Sequence, residues 1–141
     1  MNKIRENKIL IFIVILSMTA TFCTYNKITS KDPDFKIESK LIQPNLEKII
    51  SFEHVTLTGT ETNSNGKISS KLVIQTINGI NIPSDDSEMK QLGKSIATQF
   101  KQELKDPNEY NSYHILFIRK VTTGVVSSDK STELIYNSVE L

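Results

Sequence analysis

The stretch Asp85–Leu104, "DDSEMKQLGKSIATQFKQEL", is the segment that decides the fold of this chain. Its apolar residues recur at steps of three and four positions, which places them along one side of a helix. They are Met89, Leu92, Ile96, Ala97, Phe100 and Leu104. Asp85 is suited to cap the helix, and Glu88 three residues later completes a capping box. The pattern predicts one long helix across residues 87–105, with Gly93 marking a close approach to a strand.

Two alternating, β-branched segments precede this helix and two follow it. The four segments are residues 52–62, 67–77, 110–126 and 131–141. Asn65-Gly66 favours a tight hairpin between the first two, because the turn needs positive φ at both central positions. The third segment is apolar on both faces, which indicates a central strand. The order predicts a two-layer α+β domain, in which one helix packs on a mostly antiparallel sheet of about four strands in ββαββ order.

The N-terminus has the layout of a secretory signal. A basic head, Met1–Lys8, precedes an apolar run from Ile9 to Phe22 and a lone Cys23. Positive charge keeps the head on the cytoplasmic side while the apolar run enters the bilayer. This run of 14 residues would span about 21 Å as a helix, against about 30 Å for a bilayer core. The length favours a signal, but the uncharged stretch also permits an uncleaved anchor helix.

Three parts follow from this pattern. Residues 1–23 are expected to be a signal peptide or membrane anchor, residues 24–44 a polar tether, and residues 45–141 one small α+β domain. The expected location is outside the cytoplasm, in the cell envelope. The chain would be attached to the membrane by a lipid or an uncleaved anchor, or be released as a periplasmic or secreted protein.

The segment Leu16–Cys23, "LSMTATFC", resembles the lipobox of bacterial lipoproteins. The whole chain is similar in layout to small exported or lipoprotein-like proteins of bacteria: a signal, a short tether and one domain. The resemblance implies that Cys23 is a lipid attachment point. Phe22 departs from the small residue that the lipobox has before its cysteine. Cleavage without lipidation, after Thr21 or after Cys23, therefore stays open.

Composition excludes several classes of function. Cys23 is the only cysteine, so intramolecular disulfides and paired-cysteine zinc sites are excluded. The formal net charge is +1, and residues 24–141 carry 14 basic and 15 acidic side chains. A nearly neutral domain has no overall field to attract nucleic acid, so no nucleic-acid partner is expected.

The chemistry-bearing side chains form no recognisable motif. His54 and His114 are the only histidines, and with Asp85 or Asp86 they are the best available candidates for a site assembled from dispersed residues. Their spacing matches no zinc or nucleotide-binding signature. No catalytic residue, metal ligand or cofactor is predicted. A small enzyme or ligand-binding domain is the alternative interpretation.

Two further groups have a structural and a functional interpretation. Lys90, Lys94, Lys101 and Lys105 form a basic stripe beside the apolar one. Their stems can cover the edge of the core, or their charges can contact anionic lipid headgroups. Tyr110 and Tyr113 are expected to pack at the corner between helix and strand. The leading hypothesis is a non-catalytic binding module of the envelope, which contacts a partner through the threonine-rich sheet face or an exposed strand edge.

Overall fold

The computed structural model describes residues 26–37, 42–123 and 126–141. Their elements, in chain order, are β1 (Asn26–Ser30), α1 (Ile42–Glu47), β2 (His54–Ser64), β3 (Lys67–Ile77), α2 (Asp86–Glu103), β4 (Ser112–Thr123), β5 (Val126–Asn137) and a 3₁₀ turn at Ser138–Glu140. The five strands form one sheet in the order β1-β2-β3-β4-β5. Helix α2 packs on one face of this sheet, so the described chain has the predicted α+β class.

Helix α2 follows the periodicity of its sequence. Gly93, Ile96, Ala97 and Phe100 are buried along one side. Leu104, which caps the C-terminal end, is also buried. At the start, the Asp85 carboxylate accepts hydrogen bonds from the amides of Ser87 at 2.9 Å and Glu88 at 3.0 Å. This is the Asp85 half of the predicted capping box.

The sheet supplies the opposite wall of the core. Leu72, Ile74, Tyr113, Ile115 and Phe117 lie on the face that α2 covers. The hairpin between β2 and β3 turns at Asn65 and Gly66, with φ of 52° and 83°. These left-handed values confirm the Asn-Gly turn inferred from the sequence. Strand β4 lies between β3 and β5, so the prediction of a central strand is also confirmed.

The sheet differs from the prediction in strand number, while three of its four strand pairs are antiparallel, as expected for a mostly antiparallel sheet. It has five strands rather than about four, because Asn26–Ser30 pairs antiparallel with β2. All five residues of β1 are exposed. Their sequence therefore lacks the alternation of a half-buried strand, which is why this strand could not be recognised. The sheet is mixed, because β3 and β4 are parallel. Helix α2 crosses the sheet between them and returns the chain to the end at which β3 began.

The element order therefore also differs from ββαββ. A strand and the short helix α1 precede the four predicted strands. Helix α1 spans Ile42–Glu47 and so extends across the expected boundary between the tether and the domain at residues 44 and 45. The predicted N-terminal signal or anchor helix, residues 1–23, lies outside the described residues.

The segment between β1 and α1 packs on the end of the core. Phe35 lies edge-on against Phe100, with ring centroids 6.1 Å apart. Lys36 donates its amide to the Glu103 carbonyl at 2.8 Å. Ile37 packs against the same cluster. Part of the stretch expected to be a tether is thus joined to the domain in the structure.

Candidate functional site

The face of the sheet opposite α2 is the main candidate surface. Side chains on β2 alternate between the two faces, and His54, Thr56 and Thr58 are exposed on the face without the helix. Thr60 and Thr62 continue the row and are half-buried. The hydroxyl oxygen of Thr60 is buried without a hydrogen-bond partner among the described residues. This row confirms the threonine-rich face inferred from the alternation.

Beside the threonines, the same face carries an apolar patch. It consists of Val73 and Ile77 on β3, Leu116 and Ile118 on β4, and Ile135 on β5. The pairing register aligns Val73 with His114 and Ile135, and aligns Ile77 with Ile118. Four of the five are half-buried by their neighbours, whereas Ile135 is 58% exposed. The apolar patch therefore extends to the edge of the sheet and is most open there.

A polar contact between β4 and β5 lies within this patch. Nδ1 of His114 lies 2.7 Å from Oε1 of Glu133 on β5. The side chain of His114 is 15% exposed and that of Glu133 is 50% exposed. The contact is a hydrogen bond when the imidazole is neutral and an ion pair when it is protonated. It joins the open faces of β4 and β5 next to Ile135.

The structure does not bring the two histidines and Asp85 together. His54 on β2 is aligned through β3 with Ile118 on β4. It is therefore separated from His114 by two strand spacings across the sheet and by four residues along the strand direction. That offset corresponds to about 16 Å for the spacing of an ordinary sheet. Asp85 caps α2 on the other side of the sheet. Within the described ranges, no group of three or more histidine, cysteine or acidic residues is arranged to hold a metal ion.

The four lysines of the basic stripe fall into two groups, two that contact other parts of the domain and two that are exposed on the helix. Lys101 donates from Nζ to the Ser138 carbonyl at 2.5 Å, and Lys105 pairs with the Asp34 carboxylate at 2.9 Å. Lys105 also lies beyond the end of α2. Lys90 and Lys94 are exposed on the helix. Two of the four lysines thus contact the protein itself, and contact with a membrane surface stays a prediction.

Tyr110 and Tyr113 are buried at the corner before β4, as expected for packing residues. The Tyr110 hydroxyl donates to the Lys31 carbonyl at 2.6 Å. Its ring meets that of Tyr113 edge-on, with centroids 6.4 Å apart. Burial is the main cause that raises the pKa of both phenols, that of Tyr113 to about 12. The two rings anchor the segment after β1 rather than forming an exposed aromatic patch.

Sequence reasoning missed two features of this domain. One is the identity of the exposed edge strand: the sequence predicts only that some strand edge is exposed, and among the described strands β5 pairs only with β4. The other is a cleft beside the start of α2, lined by residues from four separate parts of the chain, among them Pro83, Met89, Arg119 and Lys130. No local motif signals either feature.

Cys23 and the rest of residues 1–25 lie outside the described residues. In the part that the structure describes, no helix has the length and apolar character needed to cross a membrane. Comparison of the chain with protein-family models, with curated proteins and with solved structures gave no match.

Proposed function

We propose that this chain is an exported bacterial envelope protein, attached to the membrane through its N-terminus, whose single domain binds a protein partner without catalysis. We further propose the manner of binding. An extended segment of the partner adds as a sixth strand beside β5, and an apolar side chain of that segment covers Ile135.

The observation that carries this proposal is the contrast between the two edges of the sheet. The edge opposite β5 is divided between the five residues of β1 and the part of β2 that β1 leaves uncovered, whereas β5 has twelve residues in one strand and has β4 as its only neighbour among the described strands. A terminal strand presents unpaired amide and carbonyl groups along one side. Short edges offer little to pair with, but a long edge can accept another strand by main-chain hydrogen bonds. The edge at β5 is therefore the better template.

The side chains around β5 favour a partner of definite chemistry. Ile135 is the exposed edge member of the apolar patch; His114 lies between it and Val73 in the register, and Leu116 is its diagonal apolar neighbour on β4. Asp129 and Glu133 lie on the same open face of the strand and are also exposed. An added strand with an apolar residue near Ile135 and a basic residue near Glu133 would complement both. Pairing of this kind needs no cavity and no titrating group, which is consistent with a binding role.

Site-specific photo-crosslinking in the producing cell tests the partner. A photoreactive residue placed at Ser131, on the open face of β5, should yield a discrete adduct. The adduct should contain a second, different protein and not two copies of this chain. Ile135→Lys should abolish the adduct, because a charged edge residue opposes strand pairing. Val139→Lys is the matched control: Val139 is 94% exposed and lies beyond β5 in the 3₁₀ turn.

The outcomes separate the alternatives. Adduct formation that persists in Ile135→Lys would contradict pairing along β5. An adduct that contains only two copies of this chain would assign the edge to self-association. The N-terminal part of the proposal has its own test, because fractionation of the cells and the intact mass of the protein report attachment and processing independently of the partner.

A further inference from the structure

A cleft of about 320 Å³ opens on the helix side of the sheet, opposite the face that carries the threonine row and the apolar patch. It lies between the first turn of α2 and the paired segments 117–119 of β4 and 130–132 of β5. Its apolar wall consists of Ile82, Pro83, Met89 and Phe117. Its volume is at the lower end of the range of ligand pockets, about 300–1,000 Å³. The cleft is therefore large enough for a small molecule.

Two cations line the polar side of this cleft. Arg119 on β4 lies directly opposite Lys130 on β5 in the antiparallel register, so both side chains project from the same face. Both residues are exposed. Like charges directly opposite each other destabilise a sheet. Arg119 is also the only arginine after Arg5. The position concentrates positive charge where strand pairing alone would disfavour it.

The described residues do not neutralise this pair. The ion pairs of the described part of the chain involve Lys31, Lys105 and His114 as cations. Asp86 lines the same cleft without being paired to either cation. The cleft thus contains two positive side chains and one negative one, with an apolar wall beside them.

The start of α2 is occupied by its own cap. The amides of Ser87 and Glu88 both donate to the Asp85 carboxylate. These amides are therefore not available to a ligand, and any attraction for an anion comes from the side chains of Arg119 and Lys130. A guanidinium group binds a carboxylate or a phosphate through two parallel hydrogen bonds, and an ammonium group adds a second positive charge.

We propose that this cleft binds a small organic anion, in which a carboxylate or phosphate group is carried on an apolar body. The anionic group lies between Arg119 and Lys130, and the apolar body lies against Met89 and Phe117. Asp86 competes with the ligand for the two cations and repels a second negative charge. This site is separate from the β5 edge and does not depend on the function proposed above.

Ligand-observed saturation-transfer NMR on the full chain in phosphatidylcholine nanodiscs tests the site. The probes are phenyl phosphate and phenylacetate, which share an aromatic body and differ in the anionic group. Phenylacetamide removes the charge, and inorganic phosphate removes the apolar body. We expect at least one of the two anionic probes to bind, and to bind more tightly than both controls.

Variants assign the binding to named side chains. Arg119→Gln should lower the affinity for the bound probe by about tenfold or more, as expected for loss of a charged hydrogen bond. Lys130→Gln should weaken it to a smaller degree, and Asp86→Asn should strengthen it. Lys120→Gln is the matched control, because Lys120 is the exposed neighbour of Arg119 on the same strand and projects from the opposite face. It should leave binding unchanged.

Thermal unfolding without ligand separates binding from folding. Arg119→Gln removes a like-charge contact, so its melting temperature should equal or exceed that of the wild type while binding is lost. The proposal would be overturned if neither anionic probe bound. Equal binding of phenylacetamide, or equal loss of binding in Lys120→Gln and Arg119→Gln, would also overturn it.

Discussion

Substitution of Gly93 by alanine sets two well-defined effects against each other. In an open helix interior, alanine is favoured over glycine by about 1 kcal/mol. Gly93 is not in an open position, because α2 packs closely on β5 there. A Cβ atom built on Gly93 would lie 2.6 Å from the Tyr136 hydroxyl oxygen and 2.7 Å from Cδ1 of Leu134. Real Cβ atoms essentially never make such short contacts, so the helix or both side chains must move.

The cost can be worked from these contacts. The Tyr136 hydroxyl donates to the Lys90 carbonyl at 2.7 Å, and displacement of the ring removes that hydrogen bond. A hydrogen bond of this type contributes about 1 kcal/mol, and overpacking of a filled core costs about 1–3 kcal/mol. After subtraction of the gain in helix propensity, about 1 kcal/mol, Gly93→Ala should lower the free energy of unfolding by about 1–3 kcal/mol.

Urea denaturation of the wild type, Gly93→Ala, Tyr136→Phe and the double variant measures this effect. Because Tyr136→Phe removes the atom nearest to the new Cβ, Gly93→Ala should cost less in that background, so the cycle should give a favourable coupling energy. Stabilisation of the wild-type background by Gly93→Ala, as at an open helix position, would refute the close approach of α2 to β5.

Three further predictions concern the core, the buried phenols and the N-terminus. Phe100→Ala should lower the free energy of unfolding by about 3–5 kcal/mol, measured by denaturation, whereas the exposed control Lys94→Ala should lower it by under about 0.5 kcal/mol. Equal losses in the two variants would contradict burial of the Phe100 side of α2. Because the pKa of Tyr113 is raised to about 12 in the folded state, the unfolded chain loses this proton first, so stability should fall as the pH rises from about 10 to about 12; ultraviolet absorbance should show its ionisation only with unfolding. Cys23→Ser should abolish fatty-acid labelling and release the domain if Cys23 is acylated, but change little if the segment is an uncleaved anchor or is cleaved without lipidation; full-length chain free in the cytoplasm would contradict export.

The sequence alone determined the elements whose stability is local. The helical period from Met89 to Leu104 fixes which side of α2 is buried, because side chains three and four positions apart lie on one face. Asn65-Gly66 likewise defines the hairpin, since these two residues adopt the left-handed backbone that the turn requires. The two apolar faces of β4 indicate a strand with neighbours on both sides. Each of these patterns can be interpreted without knowing what else is nearby.

Only the tertiary structure determined β1, the position of β5 at the edge of the described sheet, and the cleft that contains Arg119 and Lys130. The residues of β1 are all exposed and form a strand because β2 is long enough to pair with them. Arg119 and Lys130 are eleven positions apart in the chain, and the register of the β4–β5 pair places them opposite each other. A shift of one residue in that register would move one of the two cations to the other face. The physical reason is that pairing between strands depends on contacts distant in sequence, and those contacts leave no local pattern.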